Sequence, residues 1–138
     1  MKRFYAVLAA TLVLSAAALA NQTNWQFLSP LKNARFVYVT SYDGSQYSLD
    51  LLPADRNAIN AVQQAFIDAG HYTVVYSPEQ ADMIVVVESR PSEDVLAVYD
   101  AHSWPSGTYL WRTMQKNGLS GDVPLYKQLS AALERVGG

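Results

Sequence analysis

Three side chains that could supply an acid, a base and a hydroxyl lie within four residues of one another: Asp100, His102 and Ser103. A Ser-His-Asp hydrolase needs these groups aligned by hydrogen bonds beside an oxyanion hole. Immediate chain neighbours rarely converge in this way, and no strand-turn-helix nucleophile elbow surrounds Ser103. The pattern favours turn residues that hydrogen-bond their own backbone, with a small hydrolase using His102 with Asp100 or Glu88 as the alternative.

Other chemistry finds weaker support in the sequence. A metal site formed by His71, His102 and either Glu88 or Asp94 would lack the short His or Cys spacings typical of such sites, so we predict no metal. Glu88 with Glu93 and Asp94 could form the carboxylate pair of a glycosidase, but carboxylates at strand ends are usually solvated. We therefore predict no catalytic residues.

Cofactor and thiol chemistry are also disfavoured. The seven glycines match neither nucleotide-binding fingerprint, which predicts that the chain uses no nucleotide cofactor. The chain contains no cysteine, and this excludes a thiol nucleophile, Cys-based zinc sites and the lipid-accepting cysteine of a bacterial lipoprotein.

The aromatic residues suggest binding more than catalysis. Trp104 lies in the Ser-Trp-Pro-Ser-Gly stretch between two strand-like segments, where it could anchor a partner or fold back over its own hairpin. The predicted binding surface consists of Asp100, His102, Trp104 and Tyr109. Trp111, between Leu110 and Arg112, is predicted to pack in the core instead.

The N-terminus predicts export. Lys2 and Arg3 precede an apolar block from Phe4 to Leu19, and the small-x-small triplet ending at Ala20 is typical of signal peptide cleavage. We predict cleavage after Ala20 and a periplasmic or extracellular product without a transmembrane segment. The alternative, a retained anchor, would need about 20 apolar residues.

The charge of the predicted mature chain limits its partners. Without Lys2 and Arg3, eight of the ten basic residues remain against twelve acidic ones, a formal charge of −4. A nucleic-acid partner would require a clustered basic surface, so we exclude one.

The elements that must position these residues centre on one apolar run. Ala81 to Glu88 contains five consecutive apolar residues and predicts a central strand buried on both faces. Strands are also predicted at 34–42 and 71–76, with a hairpin of 95–99 and 109–112. Pro53 to Gly70 predicts a helix, and 123–136 a second amphipathic helix.

These elements predict a single α+β two-layer domain over residues 34–138, preceded by an extended leader at 21–33. The expected sheet is mixed, mostly antiparallel, with four or five strands and two helices on one face. The short link Ser77 to Gln80 favours an antiparallel pairing of the strands on either side of it, although a helical turn there could direct the chain elsewhere.

Taken together, these segments resemble a family of bacterial envelope domains, secreted or lipid-anchored, known as domain of unknown function 4136. The similar parts are Phe36 to Val39, the helix ending at Ala69-Gly70, the Ala81-Asp82 strand opening, the hairpin Val98 to Arg112 and the terminal helix. The resemblance implies an envelope-located α+β domain and supplies no catalytic residues. The missing cysteine separates this chain from the lipid-anchored members.

The sequence therefore predicts a non-enzymatic exported domain that binds an envelope or secreted protein near Trp104 or at a sheet edge. The hydrolase described above is one alternative. The other is a structural domain whose free sheet edge pairs with copies of itself.

Overall fold

A computed structural model describes residues 24–137, so the predicted signal peptide lies outside the described residues. None of the helices within this range is both long and apolar enough to cross a membrane. In chain order the elements are a 3₁₀ helix Asn24–Leu31, β1 Phe36–Ser41, α1 Pro53–Ala69, β2 Thr73–Val75, a 3₁₀ turn Pro78–Gln80, β3 Met83–Ser89, β4 Asp94–Asp100, β5 Trp111–Gln115 and α2 Pro124–Gly137.

The apolar run forms the middle strand of a five-stranded sheet with the order β2-β1-β3-β4-β5. All five residues from Met83 to Val87 are buried. The α+β class, the strand number and the helices on one face are confirmed. The pairings divide evenly, because β1 is parallel to both β2 and β3, whereas β3, β4 and β5 are successively antiparallel.

The predicted hairpin between β2 and β3 is wrong, because β1 lies between these two strands. Pro78–Gln80 forms a 3₁₀ turn, and the N–H of Ala81 closes it on the carbonyl of Pro78 at 3.2 Å. This turn carries the chain past β1 to its other side. The helical alternative for this link is therefore the correct one.

Helix α1 follows the sequence pattern closely. Pro53 occupies the first turn, and Gly70 ends the helix in the left-handed conformation with φ 75°. The N–H of Gly70 reaches the carbonyl of Phe66 at 3.1 Å. A residue with a side chain is strained at this φ, so the glycine explains why the helix stops here.

The stretch predicted to be an extended leader instead contains the 3₁₀ helix Asn24–Leu31. Leu28 and Leu31 are buried in the main core, whereas Phe27 is exposed. The two leucines, rather than the aromatic residues, attach this segment to the domain. Their spacing of three fits the 3₁₀ period, which brings residues i and i+3 onto one side.

The two faces of the sheet are covered differently. Alternate residues such as Val37, Val85 and Leu96 pack against both α-helices and the 3₁₀ helix in one large core. The residues between them form a second cluster on what we call the open face, because no helix of the described residues lies on it. Its buried members are Tyr38, Ile84, Val86, Ala97 and Tyr99.

Three aspartates hold the elements together through backbone N–H groups. Asp82 accepts hydrogen bonds from Arg35 and Phe36, at 2.9 and 3.1 Å, which fixes the start of β1 to β3. Asp55 in α1 accepts one from Ser89 at 2.9 Å. All three, including Asp94 described below, therefore have structural roles that their position in the sequence did not reveal.

Candidate functional site

The connection from β4 to β5 is built as a series of turns. The Asp100 carboxylate accepts a hydrogen bond from the backbone N–H of His102 at 3.0 Å, and the Ser103 hydroxyl donates to the Asp100 carbonyl at 3.2 Å. These are the local bonds by which Asp and Ser stabilise turns. The Ser103 hydroxyl is thus engaged with backbone and makes no hydrogen bond to His102 in the described contacts.

The side chains of Asp100 and His102 pair at the solvent-exposed end of β4. The Nδ1 atom of His102 lies 2.9 Å from a carboxylate oxygen of Asp100, and the His102 side chain is 86% exposed. Partial burial alone would raise the pKa of Asp100, but hydrogen bonds from the backbone and ring of His102, together with its charge, hold that pKa below its usual value. The pair stabilises the turn, and the His102 side chain points into water.

Tyr99 is the centre of a group of rings on the open face. Trp104 packs against it edge-on, with ring centroids 5.0 Å apart and ring planes at 73°. Tyr109 makes a second edge contact at 6.5 Å and 84°. The Tyr42 hydroxyl lies 3.3 Å from the Tyr99 hydroxyl. We call Tyr42, Tyr99, Trp104 and Tyr109 the aromatic cluster.

The cluster replaces a missing layer of secondary structure. Tyr99 is only 8% exposed, and Ile84 and Val86 beside it are fully buried although no helix covers them. Burial raises the pKa of Tyr42, and its hydrogen bond with Tyr99 raises it further. Both effects follow from the position of the Tyr42 hydroxyl over the sheet, where it is partly removed from water.

Charged groups border the cluster on two sides. The guanidinium of Arg112 lies 5.8 Å from the centroid of the Tyr109 ring, within cation–π range. At the opposite end of β3, Glu88 pairs with Arg90 at 2.8 Å. The surface therefore has an aromatic centre and a charged rim, and its outermost rings, Tyr42 and Tyr109, are 44% and 43% exposed.

The structure brings the four predicted binding residues to one end of the sheet, but in two groups. Trp104 and Tyr109 contact Tyr99, whereas Asp100 and His102 contact each other. Trp104 is half-buried and folds back over its own hairpin, which the sequence left open as an alternative. Trp111 is half-buried at the edge of the helix-covered core.

Tyr42 and Tyr99 were missed by the sequence reasoning. The alternation of β4 could have identified Tyr99, since it shares a strand face with Ala97. No comparable pattern marks Tyr42, which follows β1 and reaches Tyr99 only because β1 and β4 both flank β3.

The predicted alternative pairing of His102 with Glu88 is not present. Asp100 lies opposite Met83 at the start of β3, and Glu88 is five residues further along that strand. At the usual rise of a strand, Glu88 therefore lies about 17 Å from the Met83 position that faces Asp100. Glu88 bonds Arg90 instead, so no acid–base pair joins the two ends of β3.

The metal and glycosidase alternatives meet the same obstacle. No group of three or more His, Asp or Glu residues in the described part of the chain could hold a metal ion. His71 precedes β2 and His102 follows β4, and two intervening strands separate these elements by about 14 Å.

Asp94, only 4% exposed, accepts hydrogen bonds from the N–H groups of Leu119 at 2.9 Å and Arg90 at 3.3 Å. It anchors a loop and is not solvated as expected.

No family model matches the chain, and no curated protein matches it, so the predicted family membership stays a prediction. A solved structure, a dodecamer of PelC from Paraburkholderia phytofirmans, is similar with a TM-score of 0.37 and 13% sequence identity, over 77% of this chain and 85% of that chain.

Proposed function

We propose that the chain is an exported, non-enzymatic interaction domain that binds a protein of the bacterial envelope through the aromatic cluster. One observation carries the proposal: four aromatic rings, and no helix of the described residues, cover the open face, and Tyr42 and Tyr109 remain more than 40% exposed there. Tyr, Trp and Arg are the residues most enriched at binding hot spots.

The packing of the rings supports a role as a preformed contact surface. Tyr99 is fixed by edge contacts with Trp104 and Tyr109 and by the hydroxyl contact with Tyr42. Rings that are already ordered lose little conformational freedom on binding, and this lowers the free-energy cost of association. The half-buried Trp104 would then support the exposed rings rather than act as the main anchor itself.

The polar residues of the tip support binding over hydrolysis. Asp100, His102 and Ser103 all make hydrogen bonds that build the turn. A nucleophile needs its hydroxyl bonded to a base that a third group orients. In this arrangement His102 and Asp100 form a charged rim for the cluster.

Export and location rest on the predicted signal peptide, and the negative charge of the mature chain supports a protein partner over nucleic acid. The proposed partner is a different envelope or secreted protein. A second copy of this chain, joined through the open face or through the free edge of β5, is the competing occupant that the experiment must distinguish.

Site-specific photocrosslinking in cells tests the proposal. A photoreactive phenylalanine analogue at Tyr109 is expected to capture a partner protein, whereas the same group at Tyr47 should not. Tyr47 is a matched control because its side chain is also exposed, at 66%, but it lies in the loop before α1. The carbonyl of the neighbouring Gln46 accepts a hydrogen bond from Arg56 of α1, which connects this loop to the helix. Tyr109→Ala should weaken binding of the purified partner at least tenfold, and Tyr47→Ala should leave it unchanged.

Crosslinks of equal yield at both positions, or at neither, would contradict binding through the cluster. A Tyr109 product with twice the mass of the chain would assign the open face to self-association. Trp104→Ala should weaken the same partner less than Tyr109→Ala, since Trp104 acts through Tyr99.

A further inference from the structure

A separate cavity lies on the helix-covered side of the sheet, beside the C-terminal end of α1. It has a volume of about 260 Å³ and is bordered by residues of α1, of the loop before β2 and of α2. Pockets for drug-sized ligands span roughly 300–1,000 Å³, so a cavity of this size suits a smaller molecule. The proposed interaction surface does not include it.

Three aromatic rings form the walls of this cavity. Phe66 is 1% exposed and lies at its base. The rings of Tyr72 and Tyr126 stand nearly perpendicular to Phe66, at 86° and 78°, with centroids 5.9 and 4.9 Å from it. The three rings pack edge to face and together give the cavity an aromatic lining, the kind of surface that attracts organic cations.

The cavity is lined by one carboxylate and one imidazole. Among the described residues that line it, Glu134 carries the carboxylate, His71 can carry a positive charge when protonated, and none is Lys or Arg. Burial raises the pKa of Tyr126, the hydrogen bond with the Ser130 hydroxyl partly opposes this, and the nearby charge of Glu134 adds a smaller increase. Burial likewise raises the pKa of Tyr72, and the proximity of Tyr126 adds to this. When His71 is neutral, Glu134 carries the one full charge among the described lining residues, and the site then favours a cation over an anion.

The lining residues of α2 follow the helical repeat. Tyr126, Ser130 and Glu134 are spaced four residues apart and therefore lie on one stripe of the helix, facing Phe66 and Tyr72. We propose that this cavity binds a small organic cation with a quaternary ammonium head, which contacts the aromatic lining of Phe66, Tyr72 and Tyr126 and which the Glu134 carboxylate neutralises.

Calorimetric titration with choline tests the proposal, and 3,3-dimethylbutan-1-ol is the matched neutral control because it has the same shape without the charge. We expect choline to bind at least tenfold more tightly than the alcohol. In ¹⁵N–¹H spectra, choline should shift the amides of Tyr72 and Tyr126 and leave those of the aromatic cluster on the open face unchanged.

Variants separate the contribution of the rings from that of the charge. Tyr126→Leu should weaken choline binding at least tenfold, whereas Tyr126→Phe, which keeps the ring, should stay within about threefold of the wild type. Glu134→Gln should weaken binding several-fold. Asp122→Asn removes the same charge from a side chain that is 88% exposed beyond the other end of α2, and should have no effect.

Equal binding of choline and the neutral alcohol would overturn the proposal, as would no detectable choline binding. Should Tyr126→Leu fail to fold, the exposed Glu134→Gln and Asp122→Asn pair still decides the outcome, since equal affinities would contradict a charge-selective site. If the wild type binds phosphatidylcholine vesicles and Glu134→Gln does not, the ligand is the choline head group of a lipid. Choline binding without vesicle binding would assign it to a free molecule. Neither result depends on the aromatic cluster, so this proposal can fail while the proposed function stands.

Discussion

Residues on the two faces of β3 are equally buried, but different parts of the structure cover them. Val85 and Val86 are neighbours on the same strand, and both have 0% exposed surface. Val85 lies under the helices, whereas Val86 lies under tyrosine rings that belong largely to the sheet and its connections. A layer of helices covers one face, and individual aromatic side chains cover the other. The open face can therefore be buried and still offer aromatic surface to a partner.

The largest expected effect comes from placing a carboxylate on each face in turn. Val85→Asp should prevent folding, because an unpaired charge between sheet and helices has no access to water. Val86→Asp should leave a folded protein with reduced stability, since a tyrosine ring can turn aside and admit water. Circular dichroism and urea unfolding measure both variants.

The Val85 and Val86 pair is its own control, because the residue type, strand and exposure are the same. Equal loss of folding in the two variants would show that the rings seal the open face as firmly as the helices seal the other. The distinction between the faces would then be one of composition only.

A smaller difference is expected when one large ring is removed from each side. Phe66→Ala should cost about 3–5 kcal/mol of unfolding free energy, because a fully buried ring leaves a cavity. Trp104→Ala should cost about 1–2 kcal/mol, mainly the edge contact with Tyr99 and part of the ring burial. Urea unfolding with a constant m-value measures the loss of unfolding free energy in both variants. A greater loss for Trp104→Ala would show that the open face contributes more to stability than the helix-covered core.

The sequence predicted the helix-covered half of the molecule better than the open half. Period-3.6 spacing in Pro53–Ala69 and the apolar run in β3 are local patterns, and each produced an element close to its expected bounds. The position of β2 was missed because a parallel pairing through α1 depends on contacts far apart in the chain, which no local pattern records.

The candidate site shows the same division. Trp104 was recognised because it lies in a turn-rich stretch, and Tyr109 was predicted to begin the second arm of the hairpin. Their common partner Tyr99 belongs to a strand that appeared to be purely structural. Tyr42 joins the cluster across two strand spacings. Asp94 was placed in solvent because its backbone partner Leu119 is 25 residues away. Side-chain bonds of this range follow from the tertiary fold and cannot be read from spacing.

The smallest effect concerns the charged rim of the open face. The pKa of Asp100 lies below its usual value because the backbone N–H, the ring and the charge of His102 favour the carboxylate. Protons therefore bind Asp100 more readily in the unfolded chain, so its contribution to stability is fully present above the usual value of about 3.8 and is lost as the pH falls through the lower folded value. Because the His102 partner is 86% exposed, the contribution should be roughly a few tenths of a kcal/mol.

NMR titration of the Asp100 carboxyl group measures this effect directly. His102→Ala should move the Asp100 pKa back towards its usual value only in part, since the backbone N–H of residue 102 can still donate its hydrogen bond. An unchanged pKa in His102→Ala would mean that the turn backbone alone stabilises the carboxylate and that the His102 ring contributes nothing to it. A pKa restored completely would mean that the side chain creates the turn. Either extreme would alter the view that ring contacts, and not charges, maintain the open face.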